Sequence, residues 1–271
     1  MQIIKEYINT LQFNQKFWKT FMIDALFFIL FLAALFWLVN SIEAKGQELN
    51  NILPSNDLTA SPEQLLPVMK ELKYFLLYSI FTGALILLLS FFAYSFSRAL
   101  IYDEISEKKQ AKKTFWKWSR LNLALLLLLL IYSVVALLIL FLLSFFFDPI
   151  QNPAVKVFLN NLITATLQLF FILFLFCTYN YFVYNLKVWN SVKQALQFIK
   201  NRKFVKMFLF SLITVAIIYF IRWGLRKIFL NKISIAYPWA ETLTDLIFIL
   251  LLFSWLRLLF KYQDGPAQTH Q

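Results

Sequence analysis

The stretch Phe17-Trp18-Lys19-Thr20-Phe21-Met22-Ile23-Asp24 decides the fold, because an aromatic and basic pair leads into an apolar run that contains a single acid. Aromatic and basic side chains are typical of the membrane–water interface, where their polar ends stay hydrated. The chain after this stretch is apolar up to about position 40. The stretch therefore predicts the cytoplasmic start of a membrane helix with a carboxyl group inside it.

The same opening motif returns twice. Each copy has phenylalanine first, tryptophan or valine second, lysine third, and a short polar residue five positions after the lysine. Because each copy opens one membrane helix that a second helix follows, three copies in one orientation predict three parallel helix-pair repeats. Chance is the alternative, since aromatic residues and lysine are expected at any such interface. The further copies are Phe115-Trp116-Lys117-Trp118-Ser119-Arg120-Leu121-Asn122 and Phe204-Val205-Lys206-Met207-Phe208-Leu209-Phe210-Ser211.

Composition places the chain in lipid. Of its 271 residues, 61% are hydrophobic and only 15% are charged, whereas a soluble domain is about half apolar and about a quarter charged. The net charge of +12 does not indicate nucleic-acid binding, because the basic residues cluster at helix ends on one side, as expected for a membrane protein. Cys177 is the only cysteine and His270 the only histidine, so we expect no disulfide, catalytic site, metal site or cofactor.

Six apolar segments predict six transmembrane helices, since about 20 residues cross a hydrocarbon layer of about 30 Å. Residues 41–71 are polar and rich in acids, which predicts an outer loop. Within it, Ser61-Pro62-Glu63-Gln64 has the form of a capping box and predicts the start of a helix. The predicted spans are about 17–40, 72–100, 121–147, 157–184, 204–221 and 242–260.

The distribution of basic residues predicts the orientation. Of the 26 lysine and arginine residues, 18 lie in segments on one side of the predicted spans, so both termini are expected in the cytoplasm and the protein in the cell membrane. We predict an all-α bundle in a single six-span domain over residues 1–271. Its repeats are 1–100, 101–185 and 186–262, followed by a polar tail, 263–271.

Two segments predict amphipathic helices that lie on the inner leaflet. Residues 1–16 place apolar side chains at helical spacing, and residues 187–203 do the same with lysines between them. The apolar faces provide insertion, and the basic residues attract anionic lipid headgroups. The predicted partners are therefore membrane lipids, with other membrane subunits as further candidates.

A polar layer is predicted near the inner ends of the spans. Asp24 lies about 10 Å inside the first span, where a carboxylate is costly unless it is paired or faces water. Asn122 and Ser211 occupy the same place in the other copies of the opening motif, so the three are expected at one depth, facing the protein. Arg257 neutralises Asp24 if the first and last helices meet. Ion or proton conduction through this layer is the alternative to structural pairing.

A second ion pair is predicted at the outer end of the last helix pair. Arg222 ends the fifth span and Asp245 lies near the start of the sixth, so the two charges face each other across the hairpin. Both groups lie close to the surface and stay partly hydrated. We interpret this pair as structural.

The layout of the chain resembles a known membrane domain. Six spans in pairs, introduced by an interfacial segment such as Ser191 to Lys203 and an opening such as Phe17-Trp18-Lys19, resemble the membrane domain attached to some glycerophosphodiester phosphodiesterases. The likeness extends over nearly the whole chain and concerns layout rather than particular residues. The sequence contains no soluble phosphodiesterase domain, so the resemblance implies an uncharacterised polytopic family and no phosphodiesterase activity.

Two classes of function remain. The seven prolines fall in the predicted loops and tail, so the helices are expected to be unbroken, whereas many transporters build substrate sites from interrupted helices. We therefore favour a non-catalytic scaffold or accessory subunit. The alternative is a permease for a small solute or lipid that uses the polar layer around Asp24.

Overall fold

A computed structural model describes residues 15–52, 62–107, 111–149, 151–225 and 239–263. These residues are almost entirely helical and none of them forms a β-strand, which confirms the predicted all-α class. The predicted interfacial helix at 1–16 lies outside the described residues, apart from its last two. The helices are α1 (Gln15–Ile52), α2 (Pro62–Ser106), α3 (Ala111–Phe147), α4 (Pro153–Asn185), α5 (Val188–Ile199), α6 (Arg202–Leu225) and α7 (Trp239–Gln263).

Five of these helices are long and apolar enough to cross a membrane, so the chain is a multi-pass membrane protein. The predicted sixth span falls within α7, which is helical over its whole predicted length but is not among the five. A crossing by α7 stays a prediction. The five spans are Gln15–Asn50, Val68–Ser106, Ala111–Phe147, Val155–Asn185 and Arg202–Gly224.

Helix α1 is longer than the apolar run that predicted it. It continues to Ile52, through residues assigned above to a loop. These residues include Glu, Ala, Lys, Gln and Leu, which are good helix formers, and Lys45 pairs with Glu48 one turn later at 2.6 Å. Helix α2 starts at Pro62, as the capping-box pattern predicted, because proline suits the first helical position.

The chain divides into two compact units. The second unit, residues 24–97, consists of the long apolar parts of α1 and α2. Here the rings of Phe27 and Tyr94 meet edge to face, with centroids 5.6 Å apart. Most side chains of this unit are exposed, since 6% of the apolar window of α1 and 11% of that of α2 are buried.

The first unit, residues 1–23 and 98–271, contains the main core. Helix α4 is its central element, because it packs against α3, α5, α6 and α7, and 44% of its apolar window is buried. Aromatic rings fill these contacts. The ring centroids of Trp118 in α3 and Phe182 in α4 lie 4.9 Å apart. Those of Phe170 in α4 and Phe204 in α6 lie 5.7 Å apart.

A tight turn places α5 against the end of α4. Leu186 adopts a left-handed backbone with φ of 52°, which ends α4 and reverses the chain. The side-chain oxygen of Asn185 then accepts hydrogen bonds from the Lys187 amide at 3.0 Å and the Ser191 hydroxyl at 2.8 Å. The start of α5 is thus fixed by hydrogen bonds to the side chain of Asn185, the last residue of α4.

Candidate functional site: a buried polar cluster in the first unit

A hydrogen bond between α3 and α4 lies at the centre of the polar cluster. The hydroxyl of Tyr179 donates to the side-chain oxygen of Asn122 at 2.7 Å. Both side chains are buried, so the bond forms where water does not compete for either group. The polar residue of the second opening motif therefore joins two spans within the chain.

Aromatic rings surround this hydrogen bond. The Tyr179 ring lies 5.3 Å from that of Tyr102 and 5.8 Å from that of Trp118, and all three residues are buried. Tyrosines near the end of a span commonly form a belt at the membrane interface, but Tyr179 is buried in the core. Tyr184, five residues later, is 42% exposed, as a belt residue would be. The difference arises because Tyr179 points at α3 and Tyr184 points away from the core.

Helix α7 brings a buried guanidinium group into the first unit. Arg257 is 2% exposed, and its guanidinium carbon lies 5.4 Å from the centre of the Phe176 ring of α4, which gives a cation–π contact. The first turns of α1 also reach this helix, since the rings of Phe17 and Trp255 lie 5.7 Å apart. The first and last helices therefore meet within the first unit.

Two serine hydroxyls near this region are buried without a hydrogen-bond partner among the described residues. Ser211 of α6 and Ser254 of α7 both have no exposed surface. Helices α6 and α7 pack against each other, and Ser254 precedes Arg257 by one turn. A buried hydroxyl without a partner is costly to the stability of the fold.

The three opening motifs share one pattern of burial. In every copy the fourth and eighth side chains are buried, and the second, third and sixth are exposed. The eighth positions, Asp24, Asn122 and Ser211, are 0%, 4% and 0% exposed. The exposed residues are Trp18, Lys19 and Met22 in the first copy, Trp116, Lys117 and Arg120 in the second, and Val205, Lys206 and Leu209 in the third.

Asp24 belongs to the second unit, whereas Asn122, Ser211 and Arg257 belong to the first. The equal depth of the three polar residues and the pairing of Asp24 with Arg257 therefore stay predictions. Arg98 of α2 is a second buried guanidinium group that sequence reasoning missed, at 3% exposed. Its position near the end of an apolar run, where arginine commonly reaches the interface, concealed its burial.

The outer pair is formed. Arg222 of α6 contacts Asp245 of α7 through both nitrogen–oxygen pairs, each at 2.5 Å, which is the two-point geometry that arginine and carboxylate favour. Each side chain is about one-third exposed. The pair lies at the edge of a small cavity of about 180 Å³ between the two helices, where it holds them together.

Ion pairs also fix the start of α1 within the first unit. Lys19 contacts Glu104 of α2 at 2.8 Å, and Lys16 contacts Glu107. Asp103 accepts a hydrogen bond from the backbone amide of Ala111, which caps the start of α3. All of these residues except Lys16 border a groove of about 630 Å³. The exposed ion pairs contribute little stability, so their role is to set the position of the helix.

Helix α5 presents two faces. Its buried face, which includes Val192, Ala195 and Phe198, packs on α4 and α6. Trp189 and Leu196 are apolar residues of the same helix, but they are 70% and 52% exposed. The reason is that the packing face is centred on Val192 and Ala195, so these larger side chains point outward. They share an exposed stripe with two lysines: Trp189, Lys193, Leu196 and Lys200.

A comparison of the chain with known protein families, curated proteins and solved structures finds no match. In the part of the chain that the structure describes, no group of three or more His, Cys, Asp or Glu side chains could hold a metal ion.

Proposed function

We propose that the chain is a six-span, non-catalytic scaffold or accessory subunit of the cell membrane, with its repeats and orientation as the sequence predicts. The single observation that carries this proposal is the sealed state of the polar cluster. Asn122, Ser211 and Arg257 are each at most 4% exposed. Aromatic side chains of α4 contact the first and the last of these three residues. A permease needs a hydrated path to its polar groups, whereas a scaffold works with a dry core.

The exposed surface of the spans supports the same proposal. Only 6% of the apolar window of α3 is buried, although this helix has the most apolar window of the five. Such a surface contacts lipid or the helices of other membrane proteins. A scaffold uses this surface for its contacts, and the packed core keeps the surface in shape.

The shared burial pattern of the opening motifs supports the proposed repeats. An amphipathic helix needs only a helical period of burial, but here the buried and exposed positions also keep the same register to the lysine in all three copies. The proposed sixth span is α7. We also propose that the layout of the spans is similar to that of the membrane domain attached to some glycerophosphodiester phosphodiesterases.

A permease is the second candidate, and one observation favours it. The hydroxyls of Ser211 and Ser254 are buried without a partner among the described residues, and Ser254 lies one turn from the buried Arg257. Water or a polar solute would satisfy these groups. In that case the sealed cluster is the closed state of a pathway.

The access of water to Ser254 separates the two candidates. In a Cys177→Ser background, which removes the only cysteine, Ser254→Cys is treated with a membrane-impermeant maleimide in intact membranes and in inside-out vesicles. We expect no labelling from either side. Lys193→Cys on the exposed face of α5 is the matched control, and it should label from the cytoplasmic side.

Labelling of Ser254→Cys together with solute or proton flux in proteoliposomes would show that the protein is a permease and not a scaffold. The scaffold also requires a positive result. The chain released from its own membrane in native nanodiscs should carry a membrane protein in a fixed ratio, and a chain that carries only lipid contradicts the proposal.

A further inference from the structure

A groove between α3 and α4 holds polar groups at the middle of these spans. Its volume is about 490 Å³, and most of its lining is apolar. Ser133 of α3 and Gln168 of α4 both line it, each near the centre of its helix. The groove belongs wholly to the first unit. It therefore places an amide and a hydroxyl where the surrounding medium is hydrocarbon.

The wall of the groove is fixed by contacts within the chain. The hydroxyl of Tyr132 donates to the backbone oxygen of Leu167 at 2.7 Å, and the Tyr132 ring stacks on Phe171 with centroids 4.9 Å apart. These contacts connect α3 to α4 immediately beside Gln168. The groove is thus a built feature of the helix pair, and its shape does not depend on a mobile side chain.

Gln168 differs from its polar neighbours on α4. Thr166 donates its hydroxyl to the Leu162 oxygen of its own helix at 2.7 Å, which satisfies it without a partner helix. Gln168 is exposed, and within the described residues its amide has no hydrogen bond. A primary amide carries two donors and one acceptor, and leaving them unpaired in hydrocarbon is costly. A partner from outside the described residues would satisfy these groups.

We propose that this groove is the interface of a symmetric homodimer, in which Gln168 of one copy bonds to Gln168 of a second copy. Copies made by the same insertion pathway share one orientation, so their glutamines lie at the same depth. A twofold axis along the membrane normal brings the two together. The amide is self-complementary, since each group both donates and accepts, which allows two reciprocal hydrogen bonds. This inference rests on the proposed scaffold function and names a second copy as its partner.

Other occupants satisfy the groove less well. An acyl chain fills the volume but offers no hydrogen-bond partner to the Gln168 amide. A different membrane protein would need a polar side chain at this same depth, a condition that a second copy meets automatically. Exposed leucines on the rim, Leu129 and Leu137, supply the apolar contact around the central amide pair.

Cysteine cross-linking in native membranes tests the dimer. In the Cys177→Ser background, Gln168→Cys should form a disulfide-linked species of twice the chain mass on mild oxidation. The matched control is Ile217→Cys on α6, which is also exposed in a membrane span but lies outside the groove, and it should stay monomeric. A monomeric Gln168→Cys, equal cross-linking at both positions, or a linked product of another mass overturns the proposal.

The amide itself is tested by dimer affinity, measured as the monomer–dimer equilibrium in lipid vesicles by single-molecule photobleaching. Gln168→Leu should weaken the dimer by about tenfold, because two reciprocal membrane hydrogen bonds are lost. Gln168→Asn should retain part of the affinity. Gln197→Leu, the same change at an exposed site on α5, is the control and should have no effect.

A Gln168→Leu dimer as tight as that of the unchanged chain overturns the amide pair. The outcome is distinct from that of the proposed function. If the chain is monomeric but still carries a partner protein, the dimer proposal fails and the scaffold proposal stands. If the chain is a dimer that transports solute, the scaffold proposal fails and the dimer proposal stands.

Discussion

At the scale of single residues, the hydroxyl of Tyr179 is the clearest test of the buried cluster. Tyr179→Phe removes one oxygen atom and leaves the Asn122 side chain without this donor. We expect the free energy of unfolding to fall by about 1 kcal/mol, the usual scale for such a bond between membrane helices. Reversible unfolding in mixed micelles measures this change. Tyr219→Phe, on the exposed side of α6, should leave the stability unchanged, and equal effects of both variants would contradict the assignment.

Asp24 carries the second residue-scale prediction, which comes from the sequence. If Asp24 neutralises Arg257, Asp24→Leu leaves a buried charge uncompensated and should cost about 3–5 kcal/mol. The double variant Asp24→Leu/Arg257→Leu should recover part of this loss, because an apolar pair needs no counter-charge. The yield of folded protein from membranes reports on both. If the double variant reduces the yield of folded protein by as much as the two single variants together, the two residues act independently.

At the scale of the helix, α5 is expected to lie on the inner leaflet with its exposed stripe toward lipid. A peptide of residues 187–203 contains Trp189 as its only tryptophan, so a blue shift of its fluorescence reports insertion. Helicity and insertion should be greater on anionic than on neutral vesicles. The free energy of binding should be more favourable on the anionic vesicles by about 1 kcal/mol for each lysine near the surface.

The control for this peptide carries Lys193→Gln and Lys200→Gln, which keep the apolar part of the stripe. The difference in binding between anionic and neutral vesicles should then become smaller. Equal binding of the original peptide to anionic and neutral vesicles would remove the electrostatic contribution and leave an apolar interfacial helix.

At the scale of the whole molecule, the number of spans determines where the C-terminus lies. A reporter fused at Gln271 should give a cytoplasmic signal, because six crossings return the chain to the side on which it starts. A reporter near Asn56 should give an external one. An external signal at Gln271 together with an external one at Asn56 would mean that α7 does not cross, and a cytoplasmic signal at Asn56 would invert the orientation.

Most of the helices could be predicted from the sequence, because an apolar run of about 20 residues forms a helix wherever no water can bond its backbone. The start of α2 at Pro62 was also local information. The extent of α1 was not, since its last three turns depend on helix-forming polar residues that a hydropathy pattern assigns to a loop. Local preference therefore identified the helices but not the full length of each.

The candidate site was predicted only in part. The opening motifs determined that Asn122 and Ser211 lie on buried faces, because the motif and the helical period together set the direction of those side chains. Only the tertiary structure decided that Tyr179 meets Asn122, that Trp189 faces outward, and that Gln168 stays unpaired within the described chain. The physical reason is that hydrophobicity acts on each residue alone, whereas a hydrogen bond needs two groups whose relative position is set by helix packing.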